Sequence, residues 1–273
     1  MHQRELHRTP RPVIGLVTDF GLSDPYVGQM KAVLASLAPE AVIVDITHGV
    51  PPHDILRGAF FLDVSLPWLP PGAVLAAVVD PGVGSDRRMV CLEARGRLVL
   101  APDNGLVSLT IGREGVAGAW SFAAPEMASA TFHGRDVFAP LAATLAGGEH
   151  PRRLGLVIDP ASLVVLPGIE PCLAQGAVSV VVLHTDRFGN AILGLEIERW
   201  KDVLDAAPHL AVRSPVRRTV RRVTAYAALA PGELGLLAGS QGYFELAMNR
   251  ISAAETLGLA SGDGIILGLD EEE

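Results

Sequence analysis

The sequence holds only two cysteines, Cys91 and Cys172. They lie far apart and form no CxxC pair, which fits reduced thiols in a protein core and an expected cytoplasmic location. Only Lys31 and Lys201 are lysines among the 22 basic residues, and net charge is −8. No basic block exists beyond "RSPVRRTVRRV" (213–223), which alternates Arg with Val and Thr like a solvated strand face. That balance disfavours nucleic acid as a partner. Mean hydropathy is +0.34, yet no uncharged apolar run reaches the roughly 18 residues of a membrane span. The first apolar run, Val13 to Val17, is too short for a signal-peptide core, so residues 1–11 are expected to form a flexible tail. GxGxxG, GxxxxGK[ST] and GxSxG are all absent, which removes the common sequence grounds for a dinucleotide fold, a P-loop or a nucleophile elbow. There is no internal repeat and no low-complexity tract.

What is present is a chain of 273 residues, 49% hydrophobic and 19% charged, enough for two cores. The first half alternates apolar runs with helical patterns. "VIGLV" (13–17), "AVIVDI" (41–46), "AVLAAVV" (73–79), "MVCLEA" and "LVLAP" read as strands. "SDPYVGQMKAVLASLAPE" (23–40), "DILRGAFFLDVSL" (54–66) and "DVFAPLAATLAGG" (136–148) read as helices. Ser23 or Asp24 can cap the first of these, and Met30, Val33, Leu34 and Leu37 share one face of it. This alternation predicts an α/β domain over 12–160, with a mainly parallel sheet covered on both faces. Residues 161–175 carry prolines without periodicity and predict a linker. From about Gly176 to 268, strand patterns separated by Gly, Pro, Asp and Asn predict a small antiparallel barrel or sandwich.

Each early strand ends in a polar cluster: "TDFG" (18–21), "DITHGVPPHD" (45–54), "DPGVG" (80–84) and "PDNG" (102–105). "TFHGRD" (131–136) precedes a helix. Ligands of open parallel sheets bind beyond the carboxyl ends of the strands, so Asp19, Asp45, Asp80, Asp103 and His133 can converge on one rim. Each alone also has a local explanation, as a turn or helix cap, and Arg135 and Asp136 can form a local pair. His48 and His53 lie near Asp45 and Asp54, but the "VPP" turn between them and the lack of a second histidine pair argue against a metal site. "VVDPGVGSDRRMV" (78–90) is the most telling stretch. An apolar strand stops on a carboxylate, turns on glycines and presents Arg87 seven residues later.

Taken in order, "GLVTDFGLSDPYVGQMKAVL", "IVDITHGVPPHDILRGAFFL", "VVDPGVGSDRR", "APDNGL", "TFHGRDVFAP", "TDRFGNAILGL" and "GSQGYFELAMN" resemble the S-adenosyl-L-methionine (SAM) hydroxide adenosyltransferases. These adenosine-forming SAM hydrolases are related to SAM-dependent chlorinase and fluorinase. The resemblance spans roughly residues 12–268. It implies a Rossmann-like α/β/α N-terminal domain and a C-terminal β-barrel. It also implies a homotrimer with SAM held between the N-terminal domain of one subunit and the C-terminal domain of its neighbour. Substrate is then SAM, with no further cofactor and no metal.

By motif position, the family's hydrolytic Asp–Arg–His set falls on Asp80, Arg87 and His133, and Arg88 is expected to be structural. Asp19 matches the aspartate that accepts from the ribose hydroxyls. Asp186 and Ser240 match positions around the methionine moiety, Asn190 can read the adenine edge, and Phe188 and Tyr226 are candidates for stacking on adenine or for barrel core. Departures from the pattern are His53 at a halogenase tryptophan position, Gln241 and Met248 in place of fluorinase arginines, and the tail "NRISAA" (249–254). The implied reaction is attack of water on C5′ of SAM. Two alternatives stay open: halide transfer to C5′, and a non-catalytic SAM or adenosine sensor.

Overall fold

The computed structural model describes residues 11–270; most of the expected N-terminal tail lies outside the described residues. The chain divides into two compact units, with the boundary between Val165 and Leu166.

The first unit contains, in order, β1 (Val13–Thr18), α1 (Tyr26–Leu37), β2 (Val42–Thr47), α2 (Ile55–Ser65) and β3 (Val74–Val78). Next come β4 (Met89–Ala94), β5 (Arg97–Pro102), α3 (Ser108–Glu114), β6 (Gly118–Phe122), α4 (Ala139–Ala146) and β7 (Leu156–Val157). The sheet order is β2-β1-β3-β5-β4-β6-β7. β2, β1, β3 and β5 are mutually parallel, whereas β4, β6 and β7 join antiparallel. The expectation of a mainly parallel sheet is therefore corrected to a mixed one. The reason is local: β4 and β5 are linked by only Arg95 and Gly96, both at positive φ (53° and 69°). A two-residue turn joins only antiparallel strands.

β3 is buried at every position because both its faces are covered. Val74, Ala76 and Val78 pack with Met30 and Leu34 of α1 and Ala142 of α4. Leu75, Ala77 and Val79 pack on the other side with Leu62 of α2, Leu66 and Leu106. Period-two alternation in an all-apolar strand thus builds two cores. α2 is capped by Asp54, whose carboxylate accepts from the Arg57 amide. α1 starts at Tyr26 after Pro25, without a side-chain cap. Ser23 and Asp24 therefore do not serve as caps, and Leu37, expected on the buried face, is exposed.

The second unit contains β8 (Cys172–Ala174), β9 (Ala177–Thr185), β10 (Ala191–Glu196), α5 (Ile197–Ala206), β11 (Ala211–Ser214) and β12 (Arg218–Thr219). It continues with β13 (Arg221–Arg222), β14 (Leu234–Ala238), β15 (Tyr243–Met248), α6 (Ala253–Leu257) and β16 (Gly264–Gly268). Its sheet runs β12-β11-β16-β9-β10-β15-β14-β13, with β8 beside β9. All pairs are antiparallel except β13 with β14. The two end strands, β12 and β13, are separated in the chain only by Val220. The sheet must therefore curl round until its ends meet, giving a nearly closed barrel. Val178, Val180 and Val182 of β9 point inward with Leu193, Leu195, Leu236, Leu246 and Leu267. Cys91 is buried, and burial pushes its thiol up to about 12. Cys172, expected in a core, is instead exposed on β8.

Candidate active site

β1 and β3 are neighbours, with Thr18 opposite Val78. The chain leaves β1 toward β2 on one side and reaches β5 beyond β3 on the other. The carboxyl ends of this pair are therefore the switch point at which an open sheet leaves a crevice. Asp19 follows the end of β1 and Asp80 follows the end of β3. A cleft of about 350 Å³ opens there, lined by Asp19, Tyr26, His53, Asp80, Phe132 and His133 among others. Its volume suits a small organic ligand.

The "PGVG" turn explains how Arg87 comes back. Val83 N–H donates to the Asp80 carbonyl (3.2 Å) and Ser85 N–H to that of Gly82 (3.1 Å). Gly84 sits at φ +81°, and a Cβ there would lie 2.5 Å from the Ala130 carbonyl oxygen. Only glycine permits both the backbone angle and the approach. That approach presses the Arg87 loop against the segment carrying His133. Arg87 Nε donates to Asp80 Oδ1 at 2.5 Å, and its Nη2 donates to Asp80 Oδ2. The same Nη2 meets His133 Nδ1 at 3.2 Å. A guanidinium only donates, so Nδ1 is the accepting nitrogen and the ring is neutral. Burial and the Arg87 charge both hold the His133 pKa below its usual value. Burial also lowers that of Arg87. The Arg87 side chain is 9% exposed and that of Asp80 5%, so the pair is largely desolvated. Arg87 Nη1 is buried without a protein partner.

Asp19 Oδ2 accepts the His53 amide at 2.9 Å, in a turn where His53 holds φ 68°. Phe20, Tyr26 and Phe132 form an aromatic wall of the cleft, with centroids 5.1–5.9 Å apart. Two members of the proposed rim are placed elsewhere. Asp45 pairs with Lys31 (2.8 Å) and His48 (3.2 Å). Asp103 is buried and accepts from Arg88 Nε (2.7 Å) and the Val164 amide (2.8 Å). Arg88 also reaches Ser162, so it braces the fold. The Arg135–Asp136 pair forms at 2.6 Å, while Asp136 accepts the Ser129 amide instead of capping α4. Among the described residues, no three His, Cys, Asp or Glu side chains cluster as metal ligands.

In the barrel unit, Asp186 Oδ1 accepts the amides of Phe188 (2.8 Å) and Asn190 (2.9 Å). Its Oδ2 accepts Asn190 Nδ2 at 2.9 Å. Three of about four acceptor positions of a carboxylate are thus used within its own turn, and Asn190 is buried. Phe188 is 81% exposed and Tyr226 48%, so neither belongs to the barrel core. Ser240 is exposed in the turn after β14. Reading by motif missed Glu245, buried in β15, which accepts the Tyr226 hydroxyl. A lone acid inside the apolar run "YFELAM" was the available signal. It also missed Asn104, whose amide caps the Val79 carbonyl at the end of β3 (2.9 Å); His48, weighed above as a metal ligand, is buried and instead holds Thr18 Oγ1 (2.8 Å), one residue before Asp19.

The SAM hydroxide adenosyltransferase N-terminal domain model matches residues 14–155, and the corresponding C-terminal domain model matches residues 180–266. A protein of Thermus thermophilus named (R)-S-adenosyl-L-methionine hydrolase is 43% identical, over 92% of this chain and 97% of its own length. One of the same name from Salinispora tropica is 39% identical, over 93% and 97%. The crystal structure of an uncharacterized conserved protein from Thermotoga maritima superposes with a TM-score of 0.85 at 32% identity, covering 93% of this chain and 99% of that one. The chain belongs to the SAM hydroxide adenosyltransferase family.

Proposed function

We propose that the protein hydrolyses SAM to adenosine and L-methionine by attack of water on C5′. The observation that carries this reading is the largely buried, hydrogen-bonded Asp80–Arg87–His133 set, whose Asp80 and His133 line the same cleft as Asp19, in a chain whose relatives are named SAM hydrolases. Water oxygen forms the bond to C5′ as the C5′–S bond breaks, and the one proton that the water loses is released to solvent. The electron pair passes to sulfur, which leaves as a neutral thioether and needs no acid. The weak partner is water, with a pKa near ~15.7 in bulk. Arg87, fixed by Asp80 and in contact with His133, is a desolvated cation behind the wall of the cleft, where its charge favours the developing hydroxide most strongly. Arg87 is not the base, since a guanidinium keeps its proton. Asp19 receives the ribose diol, and the aromatic wall keeps water out and faces the cationic sulfur. Alignment of water, C5′ and sulfur supplies up to roughly 7–11 kcal/mol of the barrier reduction.

On the barrel, Asp186 and Ser240 receive the methionine moiety, and Asn190, Phe188 and Tyr226 the adenine. The chain acts as a homotrimer with its sites at subunit interfaces, in the cytoplasm, without a metal. Halide transfer is the weaker alternative because Asp80, Arg87 and His133 are all present and joined by hydrogen bonds. Two substitutions separate the roles. Arg87→Ala lowers kcat by about 10²–10³-fold while adenosine binding stays within a few-fold. Asp19→Ala weakens adenosine binding in calorimetry. Unchanged turnover in the first variant, or an unchanged Kd in the second, contradicts the assignment.

A further inference from the structure

Every residue of β15 is buried, and Glu245 is its single charged side chain. A carboxyl in that position is costly unless it is hydrogen-bonded. Its Oε1 accepts the hydroxyl of Tyr226, the first residue of a short 3-10 turn, Tyr226–Ala228. A Cβ at Gly239 would lie 2.9 Å from Glu245 Oε2. The carboxyl therefore rests against the backbone of the turn that carries Ser240. Burial and the nearby Asp186 charge push the Glu245 pKa up. Burial and Glu245 together push the Tyr226 phenol up, which keeps it a donor. Tyr226 and the turn that carries Ser240, both on the barrel side of the proposed site, thus rest on one buried carboxyl.

We propose that Glu245 is a positioning residue for the adenosyl half of the site: it anchors the Tyr226 hydroxyl from below and presents the exposed ring as a fixed stacking surface. The inference rests on the reading of the protein as a SAM-binding enzyme. An exposed tyrosine without an anchor exchanges rotamers within nanoseconds, and a ligand must then order it. The anchored ring is ordered beforehand, so the advantage falls on binding and not on the bond-breaking step. Nothing in the pair approaches Asp80, Arg87 or His133 in sequence, and kcat is left to that set.

The test is steady-state hydrolysis of SAM together with calorimetric binding of adenosine, on wild type, Glu245→Leu, Glu245→Gln and Tyr226→Phe. Glu245→Leu and Tyr226→Phe are expected to raise KM and the adenosine Kd by about five- to tenfold, with kcat within about twofold. Glu245→Gln is expected to restore binding, because its amide carbonyl still accepts the phenol proton. The double variant Glu245→Leu/Tyr226→Phe should be no weaker than either single one. A Glu245→Gln variant as poor as Glu245→Leu, a loss confined to kcat, or wild-type binding by Tyr226→Phe overturns the proposal. If Glu245→Leu does not fold, Glu245→Gln and Tyr226→Phe decide alone. Wild type that neither consumes SAM nor binds adenosine overturns the underlying reading, whereas normal wild type beside normal Tyr226→Phe overturns only the role of Glu245.

Discussion

His133 contributes as a neutral ring, because its Nδ1 accepts from the Arg87 guanidinium. Protonation would place an N–H against that cation, so the contact exists only above the pKa of His133. Burial and Arg87 move that pKa below 6.5. Turnover should therefore be level near neutral pH and fall on the acid side with a midpoint under 6.5. His133→Asn should flatten that limb. A wild-type kcat that instead falls as pH rises through this range would mean that His133 works as the imidazolium. At this scale the sequence was informative where motif and chemistry coincide, as for Asp80, Arg87 and Arg88. It was ambiguous where one signature has two uses. Asp103 follows the end of β5 much as Asp80 follows β3, and Asp45 lies inside β2 near its end, but Arg88 occupies the first and Lys31 and His48 the second. Glu245 lies within "GSQGYFELAMN" but was not singled out, since its hydrogen bond is to a tyrosine nineteen residues away.

Among the elements, the turn after β3 is what brings Arg87 back to Asp80 and His133. Gly84→Ala places a Cβ 2.5 Å from the Ala130 carbonyl oxygen at a positive φ. The backbone angle alone costs about 1–2 kcal/mol, and relief of the clash moves the Arg87 loop away from His133. We expect a lowered melting temperature and at least a tenfold loss of kcat (about 1.4 kcal/mol). Wild-type kcat in this variant would show that the loop approach is dispensable. Strand positions were legible because apolar runs are short and bounded by Gly, Pro and Asp. Strand direction was not legible from those runs, and the Arg95–Gly96 turn was the overlooked indicator. α5 was missed although Trp200 and Leu204, four residues apart, are its buried face; its polar remainder masked the pattern. α1 was read three residues too early because Ser23 and Asp24 resemble caps that the backbone does not use.

For the whole molecule, the two units divide the proposed duties: Asp80, Arg87, His133 and Asp19 in the first, Asp186, Asn190, Tyr226 and Ser240 in the second. If sites form between subunits of a trimer, inactive Arg87→Ala chains and inactive Asp186→Ala chains should regain activity when unfolded and refolded together. Each alone should stay inactive, and sedimentation should show a trimer. Failure to complement, with mixed trimers verified, would place each site within one chain. EDTA should leave the rate unchanged; a large loss would restore a metal to the account. The two-unit organisation was readable from the change of pattern near Gly176, but barrel closure through Val220 follows from strand pairing that no local pattern encodes. The most direct measurement is product analysis by mass spectrometry after incubating the protein with SAM in ¹⁸O-water containing chloride. The account predicts equimolar methionine and adenosine, with the label on the 5′-oxygen of adenosine. A 5′-chloro product, or intact SAM eluting with the protein, would contradict it.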